Sequence, residues 1–224
     1  MTNFLDHYCE RTLPQLWNEP LNVLTNIAFL AVFYPVLRSL QKLSRENDMP
    51  LWDLWILTGF IAFVGIGSAT WHVLASSWAL WADRIPILLF ISLYLVSCLL
   101  RVFNMSLIVA LSALVLFHTV NTLVQFMFPA YTMNGSLFYI PTLVILFVMT
   151  ILLWLKRNKS IRKYFLSACV LFSVAIIFRS IDLVACDIIP TGTHYIWHLL
   201  IAFTMYPLMI ALIRTTMTDT VYEK

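Results

Sequence analysis

Seven apolar runs, each close to the length needed to cross a bilayer, constrain this chain more than any other feature. They are Leu21–Leu40, Leu51–Leu74, Ile85–Leu100, Met105–Val124, Ser136–Leu155, Tyr164–Ala185 and Thr193–Ile213. A hydrocarbon core takes about 20 residues of helix. The third run is the shortest. It follows a connector at Ala75–Ala82 and extends naturally back through Asp83 and Arg84. Charged or turn-forming stretches separate the others, including Gln41–Pro50, Pro129–Gly135 and Lys156–Lys163. Of the 224 residues, 61% are hydrophobic and 11% charged, against about 25% charged in a soluble domain. That composition excludes a water-soluble single domain, because too little polar surface exists to cover a core. It excludes a disordered chain for the same reason. The expectation is an all-α membrane protein, a seven-transmembrane-helix bundle. It divides into an N-terminal segment (1–20) with a candidate acidic metal site, the bundle proper (21–214) and a short C-terminal tail (215–224).

The N-terminus is polar, acidic and aromatic, with no basic region ahead of an apolar stretch. No cleavable signal peptide is expected, and the first helix serves as its own insertion signal. Orientation follows from the basic residues. Eleven of the fourteen Lys and Arg fall after the odd-numbered runs or at the C-terminus, and Arg11 and Arg84 lie on the other face. This predicts a cytoplasmic C-terminus and an extracytoplasmic N-terminus. The four cysteines, Cys9, Cys98, Cys169 and Cys186, are scattered and contain no CxxC pair. Cys98 and Cys169 read as small core hydrophobes, and no disulfide framework is implied. Trp17, Trp52, Trp55, Trp78 and Trp81 read mostly as an interfacial belt.

Ionisable groups inside a membrane are few and usually functional. His72 ends the second run, Asp83 opens the third, Arg179 and Asp182 lie late in the sixth, and His194 and His198 lie early in the seventh. In an antiparallel bundle all six converge on the outer face. His194 and His198 are spaced i, i+4, so both rings leave one helix face a turn apart. With His72 they make three nitrogens and leave a fourth position open, the pattern of a catalytic zinc site. Ser68 shares the helix face of His72. Asp83 supplies a carboxylate to take a proton, which completes a hydrolytic set. Blander readings apply elsewhere. His118, without a polar neighbour, hydrogen-bonds across helices. His7 is a loop residue. Arg179 and Asp182, spaced i, i+3, neutralise each other. No basic cluster is expected on the zinc face, which suits a neutral headgroup better than a phosphate.

Gly65-Ile-Gly-Ser-Ala-Thr-Trp-His72, Trp81-Ala-Asp83 and Gly192-Thr-His-Tyr-Ile-Trp-His-Leu199 resemble the alkaline ceramidase family. That family belongs to the CREST group of seven-helix membrane hydrolases. Its pattern places a Ser four residues before a His, an Asp eleven after it, and His-x-x-x-His in the last helix. Tyr8-Cys-Glu10, Trp17-Asn18, and Asp182 with Cys186 are similar as well. The resemblance implies zinc on His72, His194 and His198, with Ser68 and Asp83 beside it as catalytic residues. It implies hydrolysis of the ceramide amide to a fatty acid and a sphingoid base. It also implies calcium on an acidic N-terminal cluster, here Asp6, Glu10 and Glu19. In this chain Thr12 and Gln15 stand where the family often has Asn and Glu. Two other classes stay open at the level of sequence. A related membrane amidase or esterase, or a receptor-like lipid binder, would differ in substrate range. A haem bundle would show a Soret band, although His194 and His198 are too close to sandwich a porphyrin. A transporter is the weakest option, since no inverted repeat shows.

Overall fold

The computed structural model describes residues 8–12, 16–46 and 50–222, with side chains through Met217. Among these residues every regular element is helical. A short helix α1 (Pro20–Thr25) leads into α2 (Ile27–Glu46). Then come α3 (Trp52–Leu74), α4 (Ser77–Arg101), α5 (Leu107–Met127), a 3-10 segment (Thr132–Tyr139), α6 (Ile140–Leu155), α7 (Lys159–Ala185) and α8 (His194–Tyr222). Counting α1 with α2, and the 3-10 segment with α6, seven of these units are long and apolar enough to cross a membrane. The chain is therefore a multi-pass membrane protein.

Two boundaries differ from the sequence reading. The connector expected at Ala75–Ala82 shrinks to Ala75 and Ser76, so Asp83 lies in the second turn of α4 rather than at its start. Ala75 adopts a left-handed conformation (φ 44°) and its N–H bonds the Trp71 carbonyl, which ends α3 in a tight turn. Trp78 and Trp81 point outward while Ala79 is buried, so an amphipathic turn replaces the expected loop. At the other end α8 continues past Ile213 to Tyr222. Nothing there breaks the helix.

The bundle is organised around α8, the most buried of the seven spans. It packs along α7 and against α2, and α3 packs along α4. Leu40, Leu43, Leu54, Leu57, Met209 and Leu212 are fully enclosed at the centre. α5 is the least buried span. Its large outward residues, such as Ile108 and Phe126, suit contact with lipid. The start of α3 and the end of α4 are tied by a bidentate pair: Arg101 donates to Asp53 Oδ2 at 2.8 Å and to Oδ1 at 2.6 Å.

At the opposite end, Gly67 allows a close approach of α3 and α4. A Cβ there would overlap the Ala82 carbonyl and come within 3.3 Å of Asp83 Cα. That approach carries Asp83 up to the turn of α3 that holds Ser68. A disulfide joins Cys9 to Cys186, with Cα atoms 5.4 Å apart. The sequence implied no such bond, because the two cysteines lie 177 residues apart and only the antiparallel bundle brings them together.

A buried three-histidine centre

His72, His194 and His198 are each 1–2% exposed. One nitrogen from each lies within 4.8 Å of the others. The outer partners of two rings settle their tautomers. His72 Nδ1 lies 2.5 Å from Glu19 Oε2. An ionised carboxylate only accepts, so Nδ1 carries the proton and Nε2 keeps its lone pair. His198 Nδ1 lies 3.0 Å from Thr25 Oγ1, whose own proton goes to the Leu21 carbonyl at 2.7 Å. The hydroxyl therefore accepts from His198, and His198 Nε2 is also bare. The two bare Nε2 atoms face each other at 3.1 Å. Two lone pairs at that distance repel unless a cation lies between them. Tetrahedral zinc, with Zn–N bonds of about 2.0–2.1 Å, sets its nitrogens about 3.3 Å apart. His194 Nδ1 is buried without a hydrogen-bond partner. The donor set thus fits a zinc ion.

The surrounding shell begins in the N-terminal segment. Glu19 Oε1 accepts from Arg11 Nε at 2.5 Å, and its Oε2 also takes Asn22 Nδ2 at 2.9 Å. Arg11 reaches on to the His72 carbonyl at 2.9 Å. Burial alone would raise the Glu19 carboxyl, but His72, Asn22 and Arg11 together hold it below its ordinary range. Glu10 accepts the N–H groups of Leu21 and Asn22 at 2.6 and 2.9 Å, at the start of α1. Burial nonetheless pushes its carboxyl up. Tyr8 stacks on His194 with ring centroids 3.8 Å apart, and the neighbouring Cys9–Cys186 bond straps this segment over the histidines.

Asp182 caps α8. Its Oδ1 accepts from Thr193 N and His194 N at 2.6 and 2.9 Å, and its Oδ2 from Cys9 N at 3.1 Å. Gly192, at φ 64°, is required beside it, because a Cβ would strike that carboxylate. This one carboxylate fixes where His194 begins its helix.

Ser68, His72, His194 and His198 are brought together, with Ser68 Oγ 3.4 Å from His198 Nε2. Asp83 is positioned one helix away through Gly67. Arg179 and Asp182 do not neutralise each other. Asp182 is consumed by backbone N–H groups, while the Arg179 guanidinium lies over the rings of Tyr8, Tyr139 and Trp197 at 5.2–5.8 Å. His118 does have a polar neighbour, Ser92 Oγ at 3.0 Å on α4, so it hydrogen-bonds across helices. Two cations, Arg84 and Arg179, line one cavity on this face, where no basic cluster was expected. Of the three expected calcium ligands, Asp6 lies outside the described residues. Glu10 and Glu19 have every carboxylate oxygen engaged by protein donors, and Arg11 sits against Glu19.

Sequence reasoning missed Thr25, Asn22 and Arg11, and it read Glu19 only as a calcium ligand. A signal was present. Asn22, Thr25 and Asn26 interrupt the first apolar run at i, i+3 and i+4, which places three polar groups on one helix face.

No curated protein matches the chain. The family model for ceramidases matches residues 7–224, a span that takes in all three histidines, Ser68, Asp83 and both disulfide cysteines, and on that match the chain belongs to the ceramidase family.

Proposed function

We propose that the chain hydrolyses the amide bond of ceramide-type lipids, using a zinc ion held by His72, His194 and His198. Membership of the ceramidase family implies a hydrolase acting on amides of membrane lipids. The observation that carries the zinc reading is the pair of bare Nε2 atoms facing each other at 3.1 Å, each made bare by an outer acceptor. When bound there, zinc lowers the pKa of a water molecule toward neutrality and polarises the carbonyl.

The chain's own residues supply the rest. Asp83 takes the proton of the attacking water on a carboxylate oxygen and passes it to the leaving nitrogen as the C–N bond breaks. Ser68 Oγ–H donates to the carbonyl oxygen as it gains charge. Glu19 and Thr25 keep the His72 and His198 rings in the tautomer that leaves Nε2 free. Tyr8 covers His194 and excludes bulk water. An apolar cavity of about 90 Å³ runs inward past Tyr139, Trp197, Ile201, Met205 and Leu208. Trp197 lies between the two α8 ligands in sequence, so the cavity begins at their depth in the bundle, and its apolar lining suits an acyl chain.

The zinc face is extracytoplasmic in this reading. The Cys9–Cys186 bond lies on it, and such bonds persist in oxidising compartments. The basic excess lies on the opposite side.

The test is zinc content measured beside turnover in purified variants. His72→Ala, His194→Ala and His198→Ala each lose zinc. Asp83→Asn and Ser68→Ala keep it, while ceramide hydrolysis falls about 10²–10⁴-fold and 10²–10³-fold respectively. Full zinc occupancy in the His194→Ala and His198→Ala proteins would refute the ligand assignment. Parent-level hydrolysis by Asp83→Asn would refute the proton-transfer role.

A further inference from the structure

A second cavity, of about 340 Å³, opens between α4, α5, the 3-10 segment and α7. Its volume falls in the range of small-molecule sites, about 300–1,000 Å³. Its polar lining includes none of the three histidines: Arg84, Arg179, His118, Asn121 and Gln125. Two of these groups are unsatisfied. Arg179 is 8% exposed, with no bonding partner at Nε. Asn121 is 3% exposed, with its Oδ1 unpartnered. Among the described residues neither Arg84 nor Arg179 is ion-paired to a carboxylate. The aromatic faces of Tyr8, Tyr139 and Trp197 around Arg179 offset part of its desolvation. Nη1 donates to Tyr8 Oη at 3.3 Å, which leaves Nε without an acceptor, and an unsatisfied buried group on a cation is costly.

The cavity also has an apolar continuation. His118 and Thr122 are shared with an open groove of about 470 Å³ along α5, completed by Leu114, Val115, Thr119 and Leu123. From Phe128 at the cavity rim to Leu114 is fourteen residues of sequence, or about 21 Å of helix. That exceeds one bilayer leaflet, about 15 Å of hydrocarbon. α5 is the least covered span, so the groove faces lipid.

We propose that this cavity and groove form a second lipid site, for an amphiphile with an anionic head and a single resident acyl chain. The carboxylate or phosphate head accepts from Arg179 and Arg84. The chain lies along α5 toward the bilayer centre. Free fatty acid and anionic phospholipid share this chemistry.

The experiment measures radiolabelled dodecanoate binding to the full chain in phosphatidylcholine nanodiscs, against empty discs. Saturable binding is expected, competed by dodecyl phosphate and not by dodecanol or inorganic phosphate. Arg179→Gln and Arg84→Gln should each weaken it about 10-fold or more, the scale of a hydrogen bond to a charged group. Arg84 is exposed, so its variant keeps the fold and remains informative if Arg179→Gln does not. His72→Ala should bind as the parent does, which separates this site from the metal centre. Discs containing phosphatidylglycerol distinguish the two sources: weaker dodecanoate binding in them assigns the site to membrane phospholipid, and unchanged binding assigns it to free fatty acid. Equal competition by dodecanol or by inorganic phosphate overturns the proposal. So does parent-level binding by Arg84→Gln, or loss of binding in His72→Ala.

Discussion

Glu19→Gln should damage the metal centre without touching a ligand. The substitution keeps size and shape but leaves one accepting oxygen and one NH₂ in place of two oxygens. In the parent, Oε1 takes Arg11 Nε at 2.5 Å while Oε2 takes His72 Nδ1 at 2.5 Å and Asn22 Nδ2 at 2.9 Å. If the glutamine turns its NH₂ toward His72, a donor meets a donor. The ring is then driven to the tautomer with a proton on Nε2, the atom that faces His198. If the NH₂ turns toward Arg11 instead, the donors clash there, and in either orientation a guanidinium only 3% exposed loses its counter-ion. Loss of an outer partner of a metal-ligating histidine typically lowers metal affinity 10–100-fold. Breaking a buried ion pair from one side removes about 3–5 kcal/mol of stability. The expected result is zinc affinity at least 10-fold weaker, read by competition with a chromophoric chelator, together with a lower melting temperature of the apoprotein. Zinc affinity within twofold of the parent and an unchanged melt would refute the reasoning. Glu19 would then be only one of several groups around His72.

Gly67→Ala forces α3 and α4 apart at Ala82, so it should retain zinc while hydrolysis falls at least 10-fold. A loss of zinc in place of turnover would mean that the glycine supports His72 rather than Asp83. Chelating calcium with zinc held constant should leave both activity and melting temperature unchanged, because Glu10 and Glu19 are already engaged and Arg11 repels a dication. A fall in either would restore a calcium site. Cys186→Ser should release the N-terminal segment from the histidine face and lower stability by about 2–5 kcal/mol. A Cys9 thiol that reacts with alkylating reagent in the native parent would contradict the bond, and a C-terminal reporter active only outside the cytoplasm would contradict the proposed orientation.

The number of spans and the membrane itself were legible in the sequence. Twenty-residue apolar runs have one stable outcome, a helix across hydrocarbon, because no water is available to satisfy any other backbone. His194 and His198 were legible as a pair because their spacing maps directly onto a helix face. That His72 joins them also followed from topology alone, since the ends of antiparallel helices alternate between two faces. Tertiary structure decided what depends on side-chain contacts between distant segments. The Cys9–Cys186 bond, the Asp182 cap on α8 and the Glu19–His72 contact join residues 11 to 177 positions apart on separate elements, and no local period encodes them. Arg179 and Asp182 show the difference most plainly. Spacing makes them neighbours on one helix, yet the bundle offers Asp182 two backbone N–H groups at the start of α8 and Arg179 a set of aromatic faces. Each takes the partner that its own environment supplies.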